Sequence, residues 1–221
     1  MSSGLYPTEL LPLINTYSRI VRGMRTLTKV MALALALSGV ALPISQAAPR
    51  YTFPVQGCTY TYARYHHNYP ATDILTHVGC LFVAPTTGVV DEVNRTDRFT
   101  WKTDLGADRG GLSISIIGDD GVRYYGSHLS YISAKIVPGY RIKVGEVMGR
   151  TGDSGDARGT APHLHFGISW PTPAGIWWVR RGELYPWKYL DQWKIGKDLS
   201  PAQSIKALEK KIGQLPKQVG Y

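Results

Sequence analysis

The feature that most constrains folding is a series of short segments in which apolar and polar residues alternate, separated by glycine-rich turns. Residues 112–117 (LSISII) are the clearest case, because alternation places the apolar side chains on one face of a strand. Residues 118–121 (GDDG) predict a turn, and residues 122–128 predict the returning strand of a β-hairpin. The chain is therefore expected to form antiparallel β structure.

Other segments of the 221-residue chain follow the same pattern, and its 24 glycines, 14 prolines and 14 tyrosines favour strands and tight turns over long helices. Further strands are predicted at 59–65, 81–84, 88–93, 144–150 and 164–169. Polar, glycine-rich loops are predicted at 94–111 and 152–159. Ser200 as N-cap and Pro201 in the first turn predict a helix that continues to about residue 214.

The first 48 residues differ in character from the rest and predict an N-terminal extension with a secretory signal. A basic stretch at 24–29 is followed by an uncharged apolar run at 30–44 and by small residues at 45–48. The apolar run is shorter than the roughly 20 residues that span a bilayer, although an uncleaved membrane anchor is the alternative. Met24 would give a signal of ordinary length, so we expect translation to start there. Residues 49–170 are then the main domain, and the aromatic-rich segment 171–221 is an extension packed on it.

Export affects how the charge and the cysteines are interpreted. The net charge is +9, of which residues 1–48 account for +3, so the exported part is basic and should concentrate near anionic polymers such as cell walls. The basic residues form no nucleic-acid-binding motif, and we expect no nucleic-acid partner. In an oxidising compartment Cys58 and Cys80 are expected to pair as a disulfide. Free thiols or a metal site are the alternatives, and the isolated positions argue against a metal site.

Four of the six histidines occur in two close pairs. His163 and His165 are two residues apart, so on a strand both imidazoles point to one face and can share a site. The second pair, His66 and His67, precedes Asp73, and His and Asp together can bind zinc. His128 comes at the end of the predicted hairpin. Taken alone, each of these residues could equally be a core, edge or turn residue.

These segments, in this order, resemble the lysostaphin/LytM-type zinc metallopeptidases, a family of cell-wall endopeptidases. The matching segments are 73–74 (DI), 79–89 (GCLFVAPTTGV), 125–129 (YGSHL), the glycine-rich 145–159, and 162–166 (PHLHF). The resemblance covers about residues 54–170. It implies a mainly β fold, an antiparallel two-sheet sandwich of the lysostaphin-like type, here with a short C-terminal helical extension.

The resemblance also implies a zinc ion held by His67, Asp73 and His165. The family has its first histidine four positions before the aspartate, which is Tyr69 here, so His67 requires a two-residue bulge near Pro70, and His66 is the alternative ligand. His163 and His128 match the two non-ligand histidines that act in catalysis, with their division of roles left open.

The implied function is that of an exported zinc metalloendopeptidase that hydrolyses peptide bonds of peptidoglycan cross-links. Its partner would be a peptidoglycan peptide, and it would act as a monomer in the periplasm or cell wall or outside the cell. Contact with a membrane would arise only through an uncleaved signal. The alternative is a non-catalytic wall-binding or regulatory module of the same fold, which the unusual His–Asp spacing favours.

Overall fold

The computed structural model describes residues 50–218. The expected signal peptide, its cleavage site and the start at Met24 lie outside the described residues. None of the helices within residues 50–218 is long and apolar enough to cross a membrane.

The described chain folds into two antiparallel sheets, so the expected mainly β, two-sheet architecture is correct. The strands are β1 (Val55–Gln56), β2 (Thr61–Tyr62), β3 (Thr72–Leu75), β4 (Leu81–Val83), β5 (Gly88–Asn94), β6 (Ser113–Gly118), β7 (Arg123–Ser127), β8 (Leu129–Ile132), β9 (Arg141–Ile142), β10 (Val147–Thr151) and β11 (His163–Ser169). The smaller sheet has the order β1-β4-β10-β8, and the larger has the order β2-β3-β11-β7-β6-β5-β9.

Strand β11 lies inside the larger sheet, between β3 and β7. Its side chains alternate between the two faces of the sheet. Leu164, Phe166 and Ile168 are fully buried in the core, while His163 and His165 point to the opposite face. The alternation that buries the apolar residues therefore also places both imidazoles together.

The two sheets are in close contact at Gly126 on β7. A Cβ atom at this position would lie 2.4 Å from the Phe82 ring of β4 in the smaller sheet, so only glycine fits. Two residues later the chain leaves the larger sheet for the smaller one. The turn is made at His128, whose φ of +62° lies in the left-handed region that non-glycine residues rarely adopt.

The C-terminal segment supplies three helices, α1 (Trp177–Arg180), α2 (Trp187–Trp193) and α3 (Ala202–Ile212). Tyr189 and Trp193 of α2 are buried in the core, and the ring of Trp193 stacks on that of Tyr51 at 5.3 Å. After α3 the chain returns across the domain, where the indole of Trp170 donates to the carbonyl of Gln214 at 2.8 Å. The aromatic residues of this segment thus serve mainly in packing.

Some element boundaries differ from the sequence-based expectation. Strand β2 covers only two of the seven expected residues, Thr61 and Tyr62, which pair with Leu75 and Ile74 of β3. Tyr60, just before the strand, stacks on the Phe53 ring. Strand β10 begins at Val147, after a turn closed by a hydrogen bond from the amide of Glu146 to the carbonyl of Lys143. Helix α3 has Pro201, not Ser200, at its N-cap.

Cys58 and Cys80 are joined in a disulfide, in agreement with the expectation. The bridge spans 22 positions and encloses the segment that carries His66 and Asp73. It therefore ties the start of β4 to the segment before β2 and restricts the part of the unfolded chain that holds these residues.

Removing this disulfide should destabilise the fold. We expect the double variant Cys58→Ser/Cys80→Ser to lose about 3 kcal/mol of unfolding free energy, since a loop of this length gains conformational entropy when it is opened. Urea denaturation with and without a thiol reductant measures this loss. Reductant should lower the midpoint of the wild type but leave that of the variant unchanged. Equal midpoints for wild type and variant without reductant would contradict the prediction.

Glu183 follows α1, and its amide donates to the carbonyl of Ile168 on β11 at 2.9 Å. Burial raises the pKa of its carboxyl to about 7, against the opposing effect of the Arg181 charge. The folded protein therefore keeps this proton up to about pH 7, whereas the unfolded chain releases it near the ordinary value of 4.5. Because the folded state binds more protons in this window, the contribution of Glu183 to stability falls as the pH rises.

Glu183→Gln should relieve this penalty at high pH. We expect the variant and the wild type to be about equally stable at pH 5, and the variant to be more stable by about 2 kcal/mol at pH 8. Denaturant midpoints at the two pH values give the difference, and the pH 5 pair is the internal control. A variant that is less stable at pH 8 would show that the ionised carboxylate is stabilised in the fold.

Candidate active site

Three side chains that can bind a metal converge where β3 and β11 pair. His66, Asp73 and His165 each offer a ligand atom, and these atoms lie within 4.8 Å of one another. The sheet register places Asp73 directly opposite His165, and Asp73 Oδ1 lies 3.0 Å from His165 Nδ1. Asp73 Oδ2 lies 3.5 Å from His66 Nε2. The group therefore combines two imidazoles and one carboxylate, a donor set that suits zinc.

The first histidine of the group is His66, the alternative, and not the preferred His67. The His66 side chain is 9% exposed and its ring lies 4.9 Å from that of His165, whereas His67 is exposed at the outer side of the cleft. The chain bends at residues 67–70, so the two extra residues before Asp73 are accommodated there, after His66. Sequence spacing could not show on which side of the bend the ligand lies.

Tyr69 stands where the family spacing would place a histidine. Its ring lies 4.4 Å from the His66 ring and 5.8 Å from the His165 ring. It therefore packs against the imidazoles of the group. His77 is exposed and its carbonyl accepts a hydrogen bond from the Thr151 hydroxyl, which agrees with its expected place in a loop outside the group.

The surroundings of His165 fix its orientation. Its Nε2 lies 2.9 Å from the carbonyl oxygen of Arg181, which can only accept a hydrogen bond. With Nε2–H donated there, the contact of Nδ1 with Asp73 Oδ1 requires either a proton on Nδ1, which donates to the carboxylate, or a cation that takes its place. A lone pair facing a carboxylate is unfavourable unless a proton or a cation lies between them. This arrangement is the one expected around a metal ion.

Electrostatics favour the forms that bind a metal. Burial lowers the pKa of His66 to about 3, assisted by the charge of His165, so its imidazole is neutral at physiological pH. Burial by itself would raise the pKa of Asp73, but the hydrogen bond with His165 and the nearby histidine charges hold it well below its usual range. A neutral imidazole and an ionised carboxylate are the forms that metals require. Among the described residues, His66 Nδ1 is buried without a hydrogen-bond partner.

The two remaining histidines lie beside the group and are oriented by backbone carbonyls. His163 Nδ1 lies 2.8 Å from the carbonyl oxygen of Ala161, and its Nε2 lies 4.0 Å from Asp73 Oδ1. His128 Nδ1 lies 2.8 Å from the carbonyl oxygen of Ser154, and its ring is 4.8 Å from that of His163. Each neutral ring therefore donates from Nδ1 and keeps the lone pair on Nε2. Burial, and next the charges of His165 and His163, lower the pKa of His128 to about 3.

Both of these carbonyls belong to the loop 152–161, which is fastened to the loop 94–111. Asp97 accepts from the amide of Gly155 at 3.0 Å and from the guanidinium of Arg158 at 2.6 Å. The backbones of the two loops are so close at Gly155 that a Cβ atom there would lie 1.9 Å from the carbonyl oxygen of Arg109. The amide of His128 in turn donates to the carbonyl of Gly110 at 2.9 Å. His128 is therefore held by both loops.

A cleft of 520 Å³ opens over these groups. It is lined by His66, His67, Asp73, His128, His163 and His165, and by residues to which the sequence analysis assigned no role in the site. The additional residues include Tyr69, Arg109, Tyr125, Asp156, Trp177, Arg180 and Arg181. Apart from Tyr125 on β7, they lie in irregular segments or short helices, where no periodic pattern marks a residue as facing a site.

Comparison with known proteins assigns the segment that supplies most of the residues lining this cleft. Residues 67–174 match peptidase family M23. This segment belongs to peptidase family M23. The match begins one residue after His66 and includes Asp73, His128, His163 and His165. No curated protein sequence matches the chain.

Solved structures with a similar fold include several peptidases. The catalytic domain of lysostaphin from Staphylococcus simulans is 24% identical, with a TM-score of 0.46, over 60% of this chain and 92% of that one. Lysostaphin itself is 22% identical, with a TM-score of 0.48, over 71% of this chain and 59% of that one. A zinc-containing peptidase from Vibrio cholerae is 21% identical, with a TM-score of 0.40, over 54% of this chain and 36% of that one. The chain thus spans well under two thirds of the latter two proteins.

The contact between the two loops generates a prediction for this M23 domain. Asp97→Ala removes the acceptor of the Gly155 amide and of Arg158, so the Ser154 carbonyl should no longer fix His128. We expect peptidase turnover to fall about 10- to 100-fold, as is usual when an outer hydrogen-bond partner is lost, while metal content is unchanged. The ¹⁵N chemical shifts of the His128 ring report the loss of the Nδ1–H form directly.

Asp119→Ala is the matched control, because Asp119 also accepts from an arginine, Arg141, at 2.5 Å, but on the surface and away from the cleft. It should alter neither turnover nor the His128 shifts. If Asp97→Ala kept the wild-type ring shifts and turnover, the two loops would not depend on each other in this way.

Proposed function

We propose that this M23 domain is an exported zinc metalloendopeptidase that hydrolyses peptide bonds in the cross-links of bacterial peptidoglycan. The observation that carries the proposal is the convergence of His66, Asp73 and His165 on one point, with His163 and His128 beside them in one cleft. Family membership supports peptide hydrolysis as the reaction.

The donor set supports zinc as the metal. Two neutral imidazoles and a carboxylate leave a coordination position open, as catalytic zinc sites require. The orientation of the His165 lone pair towards Asp73 also favours a cation between them. When bound there, zinc supplies a Lewis acid that polarises the scissile carbonyl and lowers the pKa of water to about 7.

The two flanking histidines supply acid–base chemistry. Each presents an unprotonated Nε2, so one can accept the proton of the attacking water. Once protonated, the imidazole can return that proton to the leaving amine. The other ring, 4.8 Å away, can stabilise the negative oxygen of the tetrahedral intermediate when it carries a proton on Nε2. Carbonyls of Ser154 and Ala161 keep both rings in place during these steps.

Three features support a cell-wall substrate outside the cytoplasm. The signal-like pattern within residues 1–48 supports export, and the disulfide suits an oxidising compartment. The positive charge that remains after residue 48 favours accumulation on anionic wall polymers. The resemblance to lysostaphin/LytM-type enzymes adds the peptide cross-link as the substrate.

The zinc content of the purified protein is the decisive measurement. We expect about one zinc per chain, removal of activity by a chelator and its recovery with added zinc. His66→Ala and His165→Ala should lose the metal because each removes one of three ligands, whereas His67→Ala should retain it. Zinc retained in His66→Ala but lost in His67→Ala would restore the ligand set expected from the sequence. No zinc in the wild type after reconstitution would favour a wall-binding module.

The flanking histidines should behave differently from the ligands. His163→Ala and His128→Ala should keep a full complement of zinc but lose about 100- to 10,000-fold in turnover, the usual contribution of general acid–base catalysis. Hydrolysis of purified peptidoglycan, followed by release of new amino groups, gives the rate. Loss of zinc in either variant would place that residue among the ligands.

A further inference from the structure

Two carboxylates line the catalytic cleft, Asp73 and Asp156. Asp73 belongs to the metal group, whereas the chemistry described so far gives Asp156 no role. Asp156 lies in a single 3₁₀ turn (Gly155–Ala157) of the loop 152–161, and its side chain is 32% exposed. This partly buried carboxylate is therefore within reach of a ligand that enters the cleft.

The main chain holds Asp156 in position. Its amide donates to the carbonyl of Arg109 at 2.9 Å, and the amide of the preceding residue, Gly155, donates to the Asp97 carboxylate at 3.0 Å. Neither contact uses the Asp156 side chain. An isosteric replacement of that side chain should therefore leave the loop folded, and its carboxylate is available for another purpose.

The Asp156 carboxylate has no cationic partner in the part of the chain that the structure describes. No arginine or lysine there lies within ion-pair distance of it. A nearby ring is that of His128, whose Nδ1 lies 3.9 Å from Asp156 Oδ1. That Nδ1 already donates to the carbonyl of Ser154 at 2.8 Å, so its proton is directed elsewhere.

Burial makes the ionised form of this carboxylate costly. Desolvation raises the pKa of the Asp156 carboxyl, and the charge of Arg109 opposes the shift. The guanidinium of Arg109 is itself bound to Asp104, at 2.9 and 2.8 Å. A cation that comes into direct contact with Asp156 would offset the cost of its burial, and a charge-assisted hydrogen bond would form. The carboxylate therefore favours a cationic group on a ligand.

The other charges of the cleft restrict where such a group can bind. Arg109, Arg180 and Arg181 also line the cleft, and they repel a cationic ligand from most of its surface. Asp73 belongs to the metal group. A cationic group on a ligand is thus favoured beside Asp156 and disfavoured elsewhere in the cleft, so its position along a bound peptide should matter.

Asp156 is also close to the reacting centre. The His128 ring, next to its carboxylate, lies 4.8 Å from the ring of His163 and 5.9 Å from that of His165. An extended peptide rises about 3.3 Å per residue, so about three residues span the distance from the metal group to Asp156. A group held by this carboxylate belongs to the same stretch of peptide as the bond at the metal.

We infer that Asp156 forms an ammonium-binding subsite, so that the favoured substrates are cross-link peptides with a primary amine within about three residues of the scissile bond. This inference rests on the proposed function and adds a substrate class to it. The amine can belong to the N-terminus of a peptide or to the side chain of a diamino acid, and both present the same cationic group with three N–H donors.

Four synthetic cross-linked peptides test the subsite at pH 7, where both kinds of amine are mainly protonated. The peptide N-terminus is free or acetylated, and so is the side chain of a diamino residue outside the cross-link bond. The zinc-loaded wild type should have at least a tenfold higher kcat/KM for the peptides that keep the preferred amine free, and the comparison of arms identifies that amine. Asp156→Asn should abolish the preference, and Asp156→Glu should restore it in part.

Controls separate charge from bulk and the subsite from the rest of the cleft. Dimethylation of the preferred amine adds bulk but keeps its positive charge, so it should preserve the preference that acetylation removes. Asp119→Asn removes the same charge in the turn between β6 and β7, at the other end of β7 from His128, and should keep the wild-type preference. Zinc content should be unchanged in Asp156→Asn, because Asp156 lies outside the metal group.

Two kinetic outcomes would overturn the subsite. If Asp156→Asn slowed all four peptides equally, the carboxylate would act through His128 on every substrate and not on an amine. If the wild type cleaved all four peptides equally well, the enzyme would make no use of the amine.

Binding keeps the subsite testable if none of the peptides is cleaved. In the His163→Ala background, calorimetry should give a Kd at least tenfold lower for the peptide with the free amine than for its acetylated counterpart, and Asp156→Asn should remove the difference. Selective binding without cleavage by the zinc-loaded wild type would count against the proposed function and for the subsite. Equal Kd values for the two peptides would overturn the subsite.

Discussion

The site depends on one register, the pairing of β3 with β11 that sets Asp73 opposite His165. Because side chains alternate along a strand, a slip of one residue would turn either side chain into the core and bring Leu164 or Ile74 to the cleft. Both of these residues are fully buried. Burial of the apolar positions therefore enforces the position of the polar ones, and a second pairing, with β7, holds β11 from its other side.

The side chains that line the site are held in position in two different ways. Asp73 and His165 lie on paired strands, and His163 and His165 lie on the same strand, so the sheet sets the distances between these three residues. His128 lies at a left-handed turn between the sheets and is held by carbonyls of two loops. Its position therefore depends on the contact of Asp97 with Gly155, not on strand pairing. The sheet therefore positions Asp73, His163 and His165, whereas contacts with two loops position His128.

Sequence patterns predicted the parts of this arrangement that are periodic. The alternation in residues 112–117 and 164–169 led to correct strands, and the period of two placed His163 and His165 on one face. The sequence could not choose by direction between His67, which it preferred, and His66, because residues 63–71 form no ladder and counting residues does not give direction there. The contacts of Asp97, Tyr69 and Arg181 had no signal at all, since they join segments that are distant in sequence or irregular.

The backbone and the side chain of Arg181 make separate contacts at the site. Its backbone carbonyl orients His165, and that contact is independent of the side chain. The guanidinium meanwhile stacks on the ring of Tyr69, which also lines the cleft. The orientation of His165 is thus set by the main chain, which any residue at this position would supply. A change of the Arg181 side chain would therefore leave the backbone contact to His165 in place.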